Sequence, residues 1–142
     1  MESLQTMADI KLPLSSDPRR RSQTIQEEKE WMESEGPIYH NLGRGKPQNF
    51  WKGCWVYFIK NGQVAGRSRA ERVKPLEELL SDPELYTYTG EESPAKLKSH
   101  HVVCESMEIA SHPIPHEGFQ GFRYVRPEER RAFENAFRMR RE

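Results

Sequence analysis

Hydrophobic and polar side chains alternate most regularly between residues 53 and 70. The aromatic and β-branched run WVYFI ends at Asn61-Gly62, and a second extended run, QVAGRSRA, follows it. Asn-Gly tolerates the positive φ angles of a two-residue type I′ turn, so the pattern predicts a β-hairpin. The first strand is too apolar for a free ribbon. We expect it to be a central strand of a small sheet or barrel.

The second strand of this hairpin separates its side chains by charge. Arg67, Arg69 and Glu71 alternate along one predicted face, because successive side chains of a strand point to opposite sides. The other predicted face carries Val64, Gly66, Ser68 and Ala70. Such small side chains would fit against a curved interior.

A helix is predicted over residues 24–34, before the hairpin. Thr24 and Glu27 have the spacing of a capping box, and Gly36-Pro37 would end the helix. Its apolar residues form only a thin stripe, so the helix should pack on the domain rather than nucleate it.

The same periodicities predict the remaining elements: a strand over residues 38–41, one or two helical turns over 75–80, strands over 101–110 and 120–125, and a helix from Pro127 to about Arg141. Residues 112–118 are predicted to form a loop, since Pro113 and Pro115 remove backbone donors. Phe133 and Phe137 lie one turn apart and give the last helix a docking face.

The length of 142 residues supports one domain with a modest core. Residues 1–23 are predicted to be a poorly ordered N-terminal arm, and residues 24–142 a single domain that includes the first and the last helix. No apolar run approaches bilayer-spanning length, and the N-terminus lacks the apolar segment of a signal peptide. We therefore expect a soluble, cytoplasmic protein without a membrane partner.

Charge is balanced in total but unevenly distributed. Basic and acidic residues both number 22. Between residues 38 and 73, however, the sequence has one acid, Glu71, and seven basic residues: Arg44, Lys46, Lys52, Lys60, Arg67, Arg69 and Arg72. This basic segment points to an anionic partner.

The order of these features resembles the PUA-like superfamily, specifically the ASCH and EVE domains. The resemblance covers residues 38–126 and is strongest over WKGCWVYFI and GRSRAE. It implies an α+β fold, namely a small, mixed, partly open β-barrel with flanking helices and a cleft lined by aromatic and basic residues. It also implies association with RNA or with modified bases in DNA. A few ASCH members hydrolyse a modified nucleoside.

The glycine-rich loop departs from the ASCH pattern. That pattern usually continues Gly-x-Lys with Thr or Ser, Glu and Arg, whereas here Lys46 is followed by Pro47-Gln48-Asn49. Lys46 matches and the other three positions do not, which argues against catalysis. Pro47 also breaks the phosphate-binding loop of nucleotide hydrolases, which requires Ser or Thr after the Lys.

The candidate nucleic-acid-binding residues are Tyr39, Asn41, Arg44, Lys46, Asn49, Phe50, Trp51, Arg67 and Arg69. In this hypothesis Phe50 or Trp51 is a stacking wall, and Asn49 or Tyr39 reads a base edge. The cations hold phosphates. The alternative is that Phe50 and Trp51 are core residues and the cations form a solvated rim.

The sequence thus predicts a nucleic-acid-binding module without turnover, cofactor or metal. Cys104 and His101 would lie on opposite faces of a strand, which disfavours a zinc site. Two alternatives remain open. One is a hydrolase, either of the ASCH type with Lys46 or, on residue types alone, one that uses His40 or His100 with a carboxylate such as Glu105. The other is a protein-interaction scaffold that binds a partner through residues 1–36.

Overall fold

The computed structural model describes residues 7–14, 24–43, 45–79, 81 and 98–138. The strands in these ranges are β1 Ile10–Pro13, β2 Ile38–Gly43, β3 Trp55–Lys60, β4 Gln63–Pro75, β5 His100–Cys104, β6 Glu108–Pro115 and β7 Arg123–Tyr124. The helices are α1 Ile25–Glu35, α2 Leu76–Leu79 and α3 Pro127–Asn135. No helix in these ranges has both the length and the apolar character needed to cross a bilayer.

The strands form one mixed sheet in the order β2-β5-β4-β3-β1-β7, and β6 also pairs with β4. Only β1 and β3 run parallel among these pairs. The sheet curls into an open half-barrel, so the prediction of a partly open barrel of the α+β class is confirmed at this level.

Two bulges in β4 account for the curl. Ala65 is an extra residue where β4 pairs with β3, because Ile59 faces Val64 while Phe58 faces Gly66. Glu71 is an extra residue where β4 pairs with β5. A bulge bends its strand and increases the local twist. The 13 residues of β4 therefore turn from β3 and β6 toward β5.

The predicted hairpin turn is confirmed, but one face assignment in β4 is wrong. Asn61 and Gly62 have φ angles of 53° and 75°, as a type I′ turn requires. Val64, however, packs with Ile59 against α3, whereas Ala70 packs on the opposite face of the sheet. The bulge at Ala65 shifts the alternation by one residue and thereby separates them.

Hydrophobic clusters cover both faces of the sheet. The α1 face contains Ile10, Leu12, Met32, Leu42, Phe50, Cys54, Val56, Phe58, Ala70, Val102, Cys104 and Met107. The α3 face contains Tyr57, Ile59, Val64, Ala110, Val125, Phe133, Ala136 and Phe137. The predicted docking face of the last helix is therefore confirmed. Cys54 and Cys104 are both free and buried.

The ends of the helices follow the sequence to different degrees. The Thr24 hydroxyl accepts a hydrogen bond from the backbone N–H of Glu27 at 3.0 Å, and Gly36 ends α1 with φ 103°. α3 begins at Pro127 as predicted but ends at Asn135. Arg140 and Arg141 lie outside the described residues.

Part of the expected N-terminal arm belongs to the sheet. β1 inserts between β3 and β7, and Ile10 and Leu12 enter the core on the α1 face. The Lys11 side chain points to the other face, where its Nζ atom lies 2.7 Å from Glu129 Oε1 and 3.0 Å from His116 Nε2. Residues 1–6 and 15–23 lie outside the described ranges, so the predicted boundary at residue 23 stays a prediction.

The segment predicted as one strand and a loop is two strands. β5 ends at Cys104 and β6 begins at Glu108. β6 then continues through both prolines, so the prediction of a loop at 112–115 is wrong. Among the described strands β6 pairs only with β4, and prolines are tolerated in such an edge strand because their missing donors are not needed there.

Gly66 allows α1 to pack closely on β4. A Cβ atom at this position would lie 2.8 Å from Ile25 Cγ1 and 2.9 Å from Met107 Sδ. We expect Gly66→Val to lower the free energy of unfolding by about 1–3 kcal/mol in urea denaturation, because the added side chain forces these neighbours apart. A Cβ at exposed Gly118 would meet nothing within 4 Å. Gly118→Val should therefore change stability by less than about 0.5 kcal/mol, and equal losses in the two variants would contradict the packing argument.

Candidate functional site

A cleft of about 490 Å³ opens beside the paired strands β3, β4 and β6. It is lined by Lys29, Trp55, Arg67, Ser68, Arg69, Ser106, Met107, Glu108, Ile109, Ser111 and Phe137. Strand register builds its central part. Tyr57 lies opposite Arg67 on β4, which lies opposite Glu108 on β6, while Trp55 lies opposite Arg69.

The Trp55 ring is held between two guanidinium groups. The Cζ atoms of Arg67 and Arg69 lie 3.9 Å and 3.7 Å from the ring centroid. Two guanidinium groups this close to one centroid would overlap on the same face, so they occupy opposite faces. Side chains two residues apart on a strand are separated by roughly 6.5–7 Å, and this spacing leaves a slot that one aromatic ring fills. Each contact is a cation–π interaction.

Arg67 has most of its hydrogen-bonding groups occupied. Its Nε and Nη2 atoms donate to the two carboxylate oxygens of Glu108 at 3.0 Å and 3.1 Å. Its Nη1 atom is 3.5 Å from the Tyr57 hydroxyl, and its Cζ atom lies 4.6 Å from the Phe137 ring centroid. A bidentate carboxylate pair fixes the plane of a guanidinium group. Arg67 therefore positions Trp55 from within the cleft wall.

Arg69 remains more available than Arg67. The residue is exposed, and its Nη1 atom donates to the backbone oxygen of Gly53 at 2.7 Å. Within the described part of the chain its other donors make no hydrogen bond. Arg69 therefore has exposed surface and unused donors at the wall of the cleft.

The cleft carries an excess of positive charge. Lys29, Arg67 and Arg69 face one acid, Glu108, which is already paired with Arg67. The hydroxyl groups of Ser106 and Ser111 add donors and acceptors along the wall. This combination suits an anionic ligand that also has a flat face.

Of the predicted site residues, Arg67 and Arg69 come together in this cleft, whereas two aromatic candidates do not join them. Tyr39 packs beside Leu79 and Val103, and its ring meets His101 edge-on at 5.8 Å. Phe50 is only 3% exposed and belongs to the core of the α1 face. It therefore has no face to offer a base, which corrects the stacking role that its sequence position suggested.

The other candidates lie on the loop before β3. Lys46 and Asn49 are exposed, and Asn49 has φ 57°. Trp51 is 43% exposed, so the core interpretation fails for this residue. Asn41 is also exposed, but its Oδ1 atom accepts a local hydrogen bond from the Gly43 backbone at 2.7 Å. Arg44 lies outside the described residues.

The candidate site residues predicted from the sequence did not include Trp55, Lys29, Glu108 or Phe137. Strand alternation placed Trp55 on the same face as Tyr57, which was a usable signal. The sequence did not predict that Trp55 would contact Arg67 and Arg69. Without the bulge at Ala65, a two-residue turn would set Val56 rather than Tyr57 opposite Arg67.

His40, a candidate residue of the hydrolase alternative, belongs to a buried polar pair. His40 on β2 places its Nε2 atom 3.5 Å from Glu28 Oε1 on α1, and its ring lies 4.9 Å from that of Phe58. Burial, and secondarily the charge of His101, lowers the pKa of His40 to about 4. Burial raises the pKa of the Cys104 thiol to about 12, so this thiol is protonated and inert at neutral pH. Glu105, the acid proposed as a partner of His40, is exposed and follows β5, whereas the acid beside His40 is Glu28.

Comparisons with protein-family models, with curated proteins and with solved structures give no match to this chain, and the resemblance to the PUA-like superfamily stays a prediction.

Proposed function

We propose that the cleft binds nucleic acid, as RNA or as DNA that carries a modified base, and that it does so without turnover. The observation that carries the proposal is the stack of Arg67, Trp55 and Arg69 at the wall of a positively charged cleft. The resemblance of residues 38–126 to the PUA-like superfamily supports the same function, since that superfamily is associated with RNA and with modified bases.

The two arginines would have different roles. Both faces of Trp55 are already covered, so a base would stack on the outer face of the Arg69 guanidinium and extend the existing stack. Proteins stack unpaired bases on arginine planes as well as on aromatic rings. The volume of the cleft is within the range of pockets that hold one small organic ligand.

Phosphate affinity would come from Lys29 and from the unused donors of Arg69. Both groups lie in the cleft wall, and Arg67 is neutralised by Glu108. Contacts to phosphate make binding depend on salt, because each contact releases condensed counterions. The serine hydroxyls of the wall would face the edge of the stacked base.

Arg69→Ala should weaken binding of a single-stranded oligonucleotide by about 5- to 140-fold, since one stacked base contributes about 1–3 kcal/mol. The slope of log affinity against log salt should fall by about 0.7, the value for one phosphate contact on a single strand. Fluorescence anisotropy across a salt titration measures both quantities.

Arg131→Ala is the matched control for this test. Arg131 is exposed on α3 and does not line the cleft, so this variant loses the same charge elsewhere. It should bind like the wild type. Equal affinities and equal salt slopes for the two variants would show that the cleft is not the binding site. Absence of oligonucleotide binding by the wild type would refute the proposed function.

An enzymatic assay separates the hydrolase alternative from a binding module. Incubation with acylated or alkylated nucleosides tests the hydrolase, in which Lys46 would act. If the wild type forms product and Lys46→Ala does not, the result favours the hydrolase over a binding module. Lys46 does not line the described cleft, so loss of Arg69 should leave such an activity intact.

A further inference from the structure

The most exposed large apolar side chains of the described residues converge on one loop. They are Met7, Trp51 and Tyr124, which are 42%, 43% and 42% exposed, and we call them the loop patch. The backbone N–H of Ala8 donates to Asn49 O at 2.8 Å, which brings the start of the described chain beside residues 45–54. The Gln48 backbone donates to the Tyr124 hydroxyl at 2.7 Å.

A tight turn connects the loop patch to the cleft. The backbone N–H of Cys54 donates to Trp51 O at 3.0 Å, and Gly53 has φ 99°, as the third position of a type II turn requires. The Gly53 oxygen accepts the hydrogen bond from Arg69. A Cβ atom at Gly53 would also lie 4.0 Å from Met7 Cε. Arg69 thus contacts the turn that begins at Trp51.

Two exposed lysines lie on the same loop as Trp51, and one of them pairs with an acid. Lys46 is exposed, and the Lys52 side chain is 72% exposed although its Nζ atom lies 2.9 Å from Glu71. An exposed indole beside lysines matches the composition of surfaces on which successive bases stack. Lys46 and Lys52 carry the same sign of charge as the cations of the cleft, and Glu71 shares the surface with Lys52.

We infer that the bound nucleic acid continues from the cleft, across the turn of residues 51–54, onto the exposed face of Trp51. The site would then take a strand of at least two successive nucleotides, with one base on Arg69 and another on Trp51. This inference rests on the proposed function, because it extends the same site. It makes the ligand a single-stranded segment rather than a mononucleotide.

The test compares two ligands on three proteins. A labelled single-stranded oligonucleotide is titrated with wild type, Trp51→Ala and Trp51→Phe, and a nucleoside monophosphate is measured as its competitor. Trp51→Ala should weaken oligonucleotide binding by about 5- to 140-fold and leave the inhibition constant of the mononucleotide unchanged. Trp51→Phe keeps an aromatic face and should recover most of the affinity.

The outcomes separate the two proposals. Unchanged oligonucleotide affinity in Trp51→Ala overturns the extended site, while the cleft still stands if Arg69→Ala loses binding. Equal losses for both ligands in Trp51→Ala also overturn it, because Trp51 would then act on the cleft itself. If neither Arg69→Ala nor Trp51→Ala weakens binding, the proposed function fails together with the inference.

Discussion

Replacing Lys11 with methionine should lower the free energy of unfolding by about 3 kcal/mol, because removal of one partner from a buried ion pair leaves the other uncompensated. Lys11 is 4% exposed, and its Nζ atom lies 2.7 Å from Glu129 Oε1, which belongs to a side chain that is 16% exposed. The same atom lies 5.8 Å and 5.7 Å from the ring centroids of Phe119 and Phe133. Methionine keeps the apolar stem of the side chain, so the loss of stability measures mainly the removal of the charge.

Urea denaturation of a double-mutant cycle measures this effect. Glu129→Gln should also destabilise the protein, and the double variant should lose less than the sum of the two single losses, because neither charge is then left alone. Lys74→Met is the control, since Lys74 is exposed on β4, and it should change stability by less than about 0.5 kcal/mol. Strictly additive losses would show that the pair is not coupled.

Acidification from pH 6.5 to pH 4 should cost up to about 3 kcal/mol of stability through His40 alone. The pKa of this imidazole is about 4 in the folded protein and 6.5 in its unperturbed state, and each pKa unit corresponds to about 1.4 kcal/mol. Between these values the unfolded chain binds a proton that the folded chain does not. Stability from this group is therefore complete above pH 6.5 and is lost as the pH falls toward 4.

His40→Gln separates this effect from the titration of carboxylates. Glutamine does not titrate, so the stability of this variant should fall less steeply than that of the wild type between pH 6.5 and pH 4. Urea denaturation at a series of pH values gives both curves. His112→Gln, at an exposed histidine, should retain the wild-type profile. A His40→Gln curve parallel to the wild-type curve would contradict the buried, neutral histidine.

Features that depend on a few consecutive residues were predictable from the sequence. The Asn61-Gly62 turn, the Thr24 cap of α1 and the apolar face of α3 each follow from local backbone preference or from one periodicity. The positions of Arg67 and Arg69 on one face of β4 were also predictable, because alternation holds between neighbouring residues. These features placed two of the three cations that line the cleft, whereas the class of the fold was implied by the resemblance to the PUA-like superfamily.

Pairing across distant segments was not predictable in the same way. β1 inserts between β3 and β7 although its four residues carry no strong strand signal, since the stabilisation comes from neighbours far along the chain. β6 accepts its prolines because, among the strands that the structure describes, it pairs on one side only. Phe50 and Trp51 are adjacent and similar, yet one is buried and the other exposed.

The sequence by itself determined that a hairpin with an Asn-Gly turn would carry two arginines on one side. Only the tertiary structure decided which residues these arginines meet. The extra residue at Ala65 sets Tyr57 opposite Arg67 and Trp55 opposite Arg69, and the extra residue at Glu71 moves Val73 to the core side. The physical reason is that a bulge is selected by the packing of both partner strands and shifts every later side chain to the other face.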